Sequence, residues 1–312
     1  MSPARPDLYH PRIVLAGCRA LPEGDGDDAG LIGALRARGL HARWLPWDDP
    51  ATLAADLVIL RATWDYADRL EEFLQWTARV ANLLNPAEVV AWNTDKRYLV
   101  DLAAAGVPTV PGAFFAPGEQ VHIPAGEVVV KPAVGAGSRG ALRFDDPESA
   151  RAHADDLHAQ GRSVLVQPFD PRVADGETAL VFLGGEPSHA FTKGPMLPAP
   201  GGAPGLDESG TFATESLGPA DPDPQAWDVG HRALEAAAAH LDIEVADLLY
   251  ARVDLLGAAE QSVLLELELV EPSLGWQLLN GPTRAAQQRR FALAVESALE
   301  KFGLGPLSHR RP

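Results

Sequence analysis

Only four of the 26 lysines and arginines in this chain are lysines, and three of these sit inside segments whose composition suits phosphate chemistry. Lys131 lies in the strand-like run EVVVKPA (127–133), and a glycine-bearing loop, GAGSRG (135–140), follows almost at once. Glycines let backbone N–H groups come close to phosphate oxygens, and a nearby ammonium supplies charge. Lys131, Gly135, Gly137, Ser138, Arg139 and Gly140 therefore form a candidate phosphate cradle, although glycine-rich hairpin turns are also common. The loop has neither the terminal GK[ST] of a Walker loop nor the helix-opening spacing of a dinucleotide fingerprint. Lys96 opens a helix-like segment after WNTD, and Lys193 ends a strand-like one after SHAFT. Contact with phosphate or substrate is the preferred reading of Lys96, while Lys193 suits a surface position equally well.

A second set of residues is acidic. In LLELEL (264–269) strand alternation puts Glu266 and Glu268 on one face and Leu265, Leu267 and Leu269 on the other. A solvated acidic face is the ordinary use of such a strand. Asp254, in YARVDLL (250–256), alters that reading, because pairing of the two strands would bring three carboxylates onto one patch. Hard oxygen ligands of this kind suit Mg²⁺ bridging nucleotide phosphates, and without a cation the crowding would be repulsive. VLVQPFD (164–170) ends an apolar strand, and a nucleotide base can lie against such an edge. RATWDY (61–66) offers Arg61, Thr63, Trp64, Asp65 and Tyr66 for substrate recognition, with a helix-capping turn as the competing use. Trp276 is a further pocket candidate or a core residue.

These residues need elements to hold them. Over the first ninety residues strand-like runs (12–18, 42–47, 56–63, 89–93) alternate with helix-like ones (31–39, 69–82), which implies a parallel sheet covered on both faces. Ligands of such sheets sit at the carboxyl ends of the strands, where RATWDY lies. A helix over 96–106, capped by Asn93 or Thr94 and stopped by Gly106, opens a small α+β unit. That unit holds strands at 127–133, 141–144 and 163–169 and a helix at 147–161. A hairpin over 177–193 turns at Gly184 and Gly185. The stretch 195–210, rich in Pro and Gly, reads as a long surface loop, either a lid or plain disorder. A helix (225–241), two strands (248–257 and 262–272) and a last helix (283–302) follow.

Composition excludes several classes. With 312 residues, 46% of them hydrophobic, the chain can bury a sizeable core, as one large enzyme or as two to three closely packed domains. It has no run of 18 apolar residues and no signal-peptide core near Met1, so the cytoplasm is the expected location and no membrane partner is expected. A formal net charge of −17 argues against a nucleic-acid partner, since binding to phosphate backbones needs a basic surface. The one cysteine, Cys18, excludes an intrachain disulfide and a cysteine-rich metal cluster, and is read as buried packing.

Taken in order, Lys96, KPAVGAGSRG, QPFD, GE at 176–177, RVD at 252–254 and LELELVEP at 265–272 resemble the ATP-grasp superfamily. With RATWDY and WNTDKRYL, the chain is similar to the glutathione-synthetase-like branch that includes the cyclo-ligase of D-cycloserine biosynthesis. The resemblance implies an α/β and α+β ATP-grasp fold: an N-terminal parallel-sheet pre-ATP-grasp domain (1–93), a small subdomain with the glycine-rich loop (94–166), and a C-terminal subdomain with the metal site (167–312). It implies that Lys96, Lys131 and the 135–140 loop bind ATP phosphates, that Gln167 and Phe169 lie at the adenine, and that Asp170 contacts the ribose. Asp254, Glu266 and Glu268 would hold two Mg²⁺ ions, with Mn²⁺ as an alternative metal. Arg252 would face the transferring phosphoryl group, and Lys193 joins it as a catalytic candidate. The family's metal motif commonly reads Glu-x-Asn, whereas Glu268 stands in the last position here, and Glu271 is a further candidate only if the strand bulges.

The reaction so implied is ATP-dependent ligation of a small-molecule, amino-acid-like carboxylate to a nitrogen nucleophile through an acyl phosphate, with ring closure as one form. The alternatives are a non-catalytic ATP-binding module and a ligase that modifies a protein terminus. A homo-oligomer is left open.

Overall fold

The computed structural model describes residues 10–305. Three sheets follow one another along the chain. In the first, β1 (Arg12–Gly17), β2 (His41–Pro46), β3 (Leu57–Ala62) and the two-residue β4 (Leu83–Leu84) pair in parallel in the order β2-β1-β3-β4. Every residue of β3 is buried, as its continuous apolar run requires of a strand covered on both faces. Alternate residues of β1 and β3 enter different cores. Ile13, Leu15, Leu57 and Ile59 pack with residues of the third sheet and the last helix, while Val14, Val58 and Leu60 pack with Trp47, Phe73 and Trp76. Cys18 lies in this unit and is buried. The crossovers are α1 (Leu31–Ala37) and α2 (Leu70–Thr77).

The residues expected as a strand at 89–93 form α3 (Ala87–Asn93) instead. Val89, Val90 and Asn93 are its buried positions, an i, i+1, i+4 set that is one helical face, and a short apolar run does not separate the two readings by itself. The next helix, α4 (Tyr98–Ala104), is shorter than expected and has no side-chain cap at its first residue. Asn93 cannot serve as that cap because its amide is used elsewhere: it accepts from Leu269 N–H at 2.7 Å and donates to Leu267 C=O at 2.9 Å.

The second sheet is antiparallel, with β5 (Ala113–Phe115), β6 (Val128–Pro132), β7 (Leu142–Phe144) and β8 (Val164–Pro168) in the order β5-β8-β6-β7. One face is covered by α5 (Pro147–Ala159), whose first turn is capped by the Asp146 carboxylate. In the third, β9 (Glu177–Leu183), β10 (Glu186–Lys193), β11 (Leu217–Pro219), β12 (Tyr250–Leu256) and β13 (Val263–Glu268) run antiparallel in the order β11-β10-β9-β12-β13. The hairpin at Gly184 and Gly185 stands where the turn residues put it. Helix α6 (Pro224–Leu241) covers one face, and α7 (Gly281–Lys301) lies on the other and meets α1.

β13 is the edge of its sheet, yet its outer side is not left open. Leu264 exchanges backbone hydrogen bonds with Pro108 C=O (2.7 Å) and Val110 N–H (2.9 Å), Leu267 N–H donates to the Tyr98 hydroxyl (3.0 Å), and Asn93 takes the groups named above. This covering removes an exposed edge and fixes the strand that carries the acidic residues.

Asn85 joins the first and third sheets. It is fully buried, donates to Tyr250 C=O (2.9 Å) and Leu269 C=O (2.7 Å), and accepts from Leu249 N–H (2.7 Å). Asn85→Ala leaves these groups without partners, and the expected cost of about 2–3 kcal/mol is measured as a lowered urea midpoint.

Candidate active site

The two strands expected to pair do so, with Arg252 opposite Glu268 and Asp254 opposite Glu266, and a bulge follows at Asp254/Leu255. They form one wall of a cavity of about 680 Å³, and the other walls come from β6, the 135–140 loop, β8, the 195–217 segment and the turn at 64–66. Lys131 on β6 and the Glu266/Glu268 pair on β13 open into this same space.

Charge is arranged there in alternating sign. Lys96 Nζ meets Glu266 Oε1 at 2.9 Å, and Arg252 Nη2 meets Glu268 Oε1 at 2.6 Å. Lys193 Nζ lies between Asp254 (2.8 Å) and Glu177 (3.1 Å). Burial alone would raise the Glu266 carboxyl, but Lys96 and Lys131 hold it down at about 2. Glu268 goes the other way, to about 7, because burial and the adjoining Asp254 and Glu266 charges outweigh Arg252. Burial would neutralise Lys193, and the Asp254 and Glu177 charges keep it protonated well above the ordinary lysine range. Lys131 differs from the other three cations. It has no ion pair among the described residues, and burial lowers its ammonium. An unpaired, desolvated ammonium in a cavity is a site for an anion.

Asp254 was expected as the third metal ligand. It lies fully buried behind the wall, with its oxygens taken by Arg252 Nε (2.9 Å), Arg252 Nη2 (2.9 Å) and Lys193. Among the described residues no three His, Cys, Asp or Glu side chains stand together as a ready metal cage. Glu266 and Glu268 do face the cavity, and the mutual repulsion that raises Glu268 is the kind a divalent cation relieves, so the donor set fits a hard cation.

Gly135, Gly137, Ser138 and Arg139 line the cavity, and Gly140 does not. The far end is apolar, with Val110, Val129, Pro168, Phe169 and Leu265 around Gln167. Arg143 covers the Phe169 ring with its guanidinium 3.6 Å from the centroid. Asp170 also lines the cavity, but its carboxylate caps the following turn and pairs with Arg172.

Of the substrate candidates, Trp64 and Tyr66 reach the cavity. Arg61, Thr63, Asp65 and Trp276 do not, and each has a structural place instead. Arg61 is almost fully buried, held by both oxygens of Asp28 (2.8 and 3.1 Å) and donating to Pro272 C=O (2.8 Å). Trp276 is core, with its indole N–H on Asp28 at 3.1 Å. Asp65 accepts from the Trp47 indole at 2.7 Å, and Thr63 is fully buried. The strand-end rule located the right end of the sheet but not which way each side chain turns.

Asp25 and Asp27 are among the cavity residues that escaped the sequence reading. Asp25 accepts from the Ser273 hydroxyl (3.0 Å), and Asp27 from Leu274 N–H (3.1 Å) and Gln277 N–H (3.0 Å). Burial and the nearby Asp28 charge raise Asp27 to about 7. The signal available was the run DGDD (25–28) in the connection after the first strand.

The loop expected over 195–210 extends to 216 without regular structure and lies across the cavity. It docks on the glycine loop through Ala213 N–H to Gly137 C=O (2.9 Å), and Phe212 meets the Trp64 ring edge-on with centroids 4.8 Å apart. Arg139 pairs with Asp68 at 2.8 Å, so three separate segments meet over the site.

The chain is similar to known proteins in sequence and in fold. Residues 13–85 match the family model for the N-terminal domain of D-cycloserine synthetase DcsG. The cycloserine biosynthesis protein DcsG of Streptomyces lavendulae is 37% identical over 269 residues, which cover 80% of this chain and 88% of that protein. A crystal structure of D-cycloserine synthetase DcsG superposes with a TM-score of 0.78 at 32% identity, covering 91% of this chain and 98% of the other. An ATP complex of D-alanine–D-alanine ligase from Bacillus anthracis shares the fold, with a TM-score of 0.62 at 13% identity and coverage of 93% and 98%. Fold and site together define an ATP-grasp enzyme, an ATP-dependent ligase that forms C–N bonds. Within that class the chain belongs to the D-cycloserine synthetase (DcsG) family.

Gly137 has φ +60°, and a Cβ there would stand 2.6 Å from Phe212 Cα. Gly137→Ala is expected to undock the 195–216 segment, and thermolysin cleavage within it should quicken by about tenfold, as expected of a locally opened loop.

Proposed function

We propose that this enzyme phosphorylates the carboxylate of a small amino-acid-like substrate and couples the resulting acyl phosphate to a nitrogen nucleophile in the same molecule, closing a ring. The carrying observation is that Lys131, the only cavity lysine without an ion pair among the described residues, opens into the same space as Glu266 and Glu268. The name of the cycloserine biosynthesis relative supports ring closure as the form of ligation.

In this reading Lys96, Lys131 and the backbone of 135–140 hold the phosphates, with Ser138 and Arg139 at the loop's crest. The apolar end around Gln167 and Phe169 takes the adenine, and Asp170 is near the ribose. Glu266 and Glu268 supply oxygens to Mg²⁺, two ions when both are bound, with Mn²⁺ as a substitute. Asp254 joins them only if Lys193 and Arg252 release it. A cation held there would supply charge neutralisation at the phosphates. Arg252, fixed by Asp254 and Glu268, presents its guanidinium toward charge that builds on the phosphoryl group, and Lys193 adds to that field. Trp64 and Tyr66 bound the substrate end. Domain boundaries near 93 and 166 and a cytoplasmic location belong to the same proposal. No helix among the described residues is long and apolar enough to cross a membrane.

A nucleotide-regulated binding module would need only the phosphate and base contacts. The buried Arg252–Asp254–Lys193 system beside the cavity favours an enzyme, because it fixes positive charge where binding alone requires none.

ADP release with ATP and Mg²⁺, tested against amino acids, ureido acids and dipeptides, should be stimulated by a ureido acid and abolished by EDTA. Silence across that panel contradicts the proposal. Lys131→Met should lower the stimulated rate by about 10²–10³-fold in the same assay without changing the circular dichroism spectrum.

A further inference from the structure

The segment directly after β13 is tied down by side chains from several other parts of the chain. The Trp64 indole donates to Glu271 C=O at 3.1 Å, Arg61 to Pro272 C=O at 2.8 Å, and Arg252 to Ser273 C=O at 3.1 Å. Asp27 accepts from Leu274 N–H, and His189 Nε2 donates to Leu274 C=O at 2.6 Å. These clamps come from four different parts of the chain, and what they position is the side chain of Glu271.

Glu271 is only 7% exposed, and that remnant faces the cavity. The other cavity carboxylates on this wall are occupied, Glu266 by Lys96 and Glu268 by Arg252. Asp25 and Asp27 are filled by hydroxyl and backbone donors. Glu271 has no ion pair among the described residues, and the Tyr66 hydroxyl is a hydrogen-bond partner of its carboxyl group. A buried carboxylate that opens into the reaction cavity and is not taken up by a cation is placed to accept a proton there.

The reaction needs such a group. When the nitrogen attacks the acyl carbon, the C–N bond forms, the carbon–oxygen bond to phosphate breaks, and phosphate leaves with the electron pair. The nitrogen must then lose a proton, and the amide or ring product cannot form until it does. We infer that Glu271 is the catalytic base that takes this proton, with Tyr66 orienting its carboxylate. The inference rests on the ligase reading above and assigns to Glu271 the second half-reaction only.

The two half-reactions can be read separately. Acyl-phosphate formation is followed by positional isotope exchange in ATP labelled at the β,γ-bridge, and ligation by product release, both with Mg²⁺ and a ureido amino acid as the probe. Glu271→Gln, which keeps size and shape, should leave exchange within about threefold of wild type and lower product formation by about 100-fold, as for a lost general base. Tyr66→Phe should show the same split in smaller degree. A parallel fall of exchange and product in Glu271→Gln, or a rise in the KM for the probe with kcat unchanged, overturns the assignment. So does full retention of product formation. Wild-type enzyme that shows neither exchange nor product overturns the ligase reading itself.

Discussion

The pairing register of β12 and β13 is the constraint on which the site depends. It sets Arg252 against Glu268 and Asp254 against Glu266 in a place from which water is largely removed. Two carboxylates side by side would repel, and a desolvated charge without a partner costs several kcal/mol. The arrangement holds because Lys96, after α3, and Lys193, at the end of β10, reach the same wall and complete the alternation of sign. A shift of one residue in either strand would turn these side chains into the apolar core. That explains why β13 is bound along its outer edge by Asn93, Tyr98 and residues 108–110.

The N-terminal sheet contributes through the same wall. Arg61, Asp28 and Trp276 form a buried link between the end of β3 and the segment after β13, and Asn85 makes another beneath it. The alternate faces of β1 and β3 pack into separate cores, one of which is shared with β9, β10 and α7. The part of the cavity wall beside Trp64 and Tyr66 is therefore anchored to two sheets. The cavity's roof is built differently, from the 135–140 loop and the 195–216 segment, which hold each other by few contacts. An anchored wall with a lightly docked roof suits an enzyme that must admit a nucleotide and then exclude water.

Much of this was legible from the residues. The scarcity of lysines drew attention to Lys96, Lys131 and Lys193, and strand alternation placed Glu266 and Glu268 on one face. What periodicity could not give was direction after a strand ends. Arg61, Thr63 and Asp65 follow the correct strand, yet each turns toward the protein, because Asp28, a buried site and Trp47 are there to receive them. Asp254 has the right spacing for a metal ligand, but its oxygens are claimed by Arg252, two residues before it, and by Lys193 from the end of β10. The helix at 87–93 was misread as a strand because four apolar residues and an Asn fit both periods. Asp25 and Asp27 were passed over because an acidic run after a strand looks like an ordinary surface turn until 273–277 is seen to fold onto it.

A crystal structure of the enzyme with a non-hydrolysable ATP analogue and Mg²⁺ tests the central claim most directly. The account predicts the terminal phosphates between Lys131 and the Glu266/Glu268 pair, with metal on those carboxylates and the base against Phe169. A nucleotide seated outside this cavity, or metal that touches neither glutamate, would contradict it.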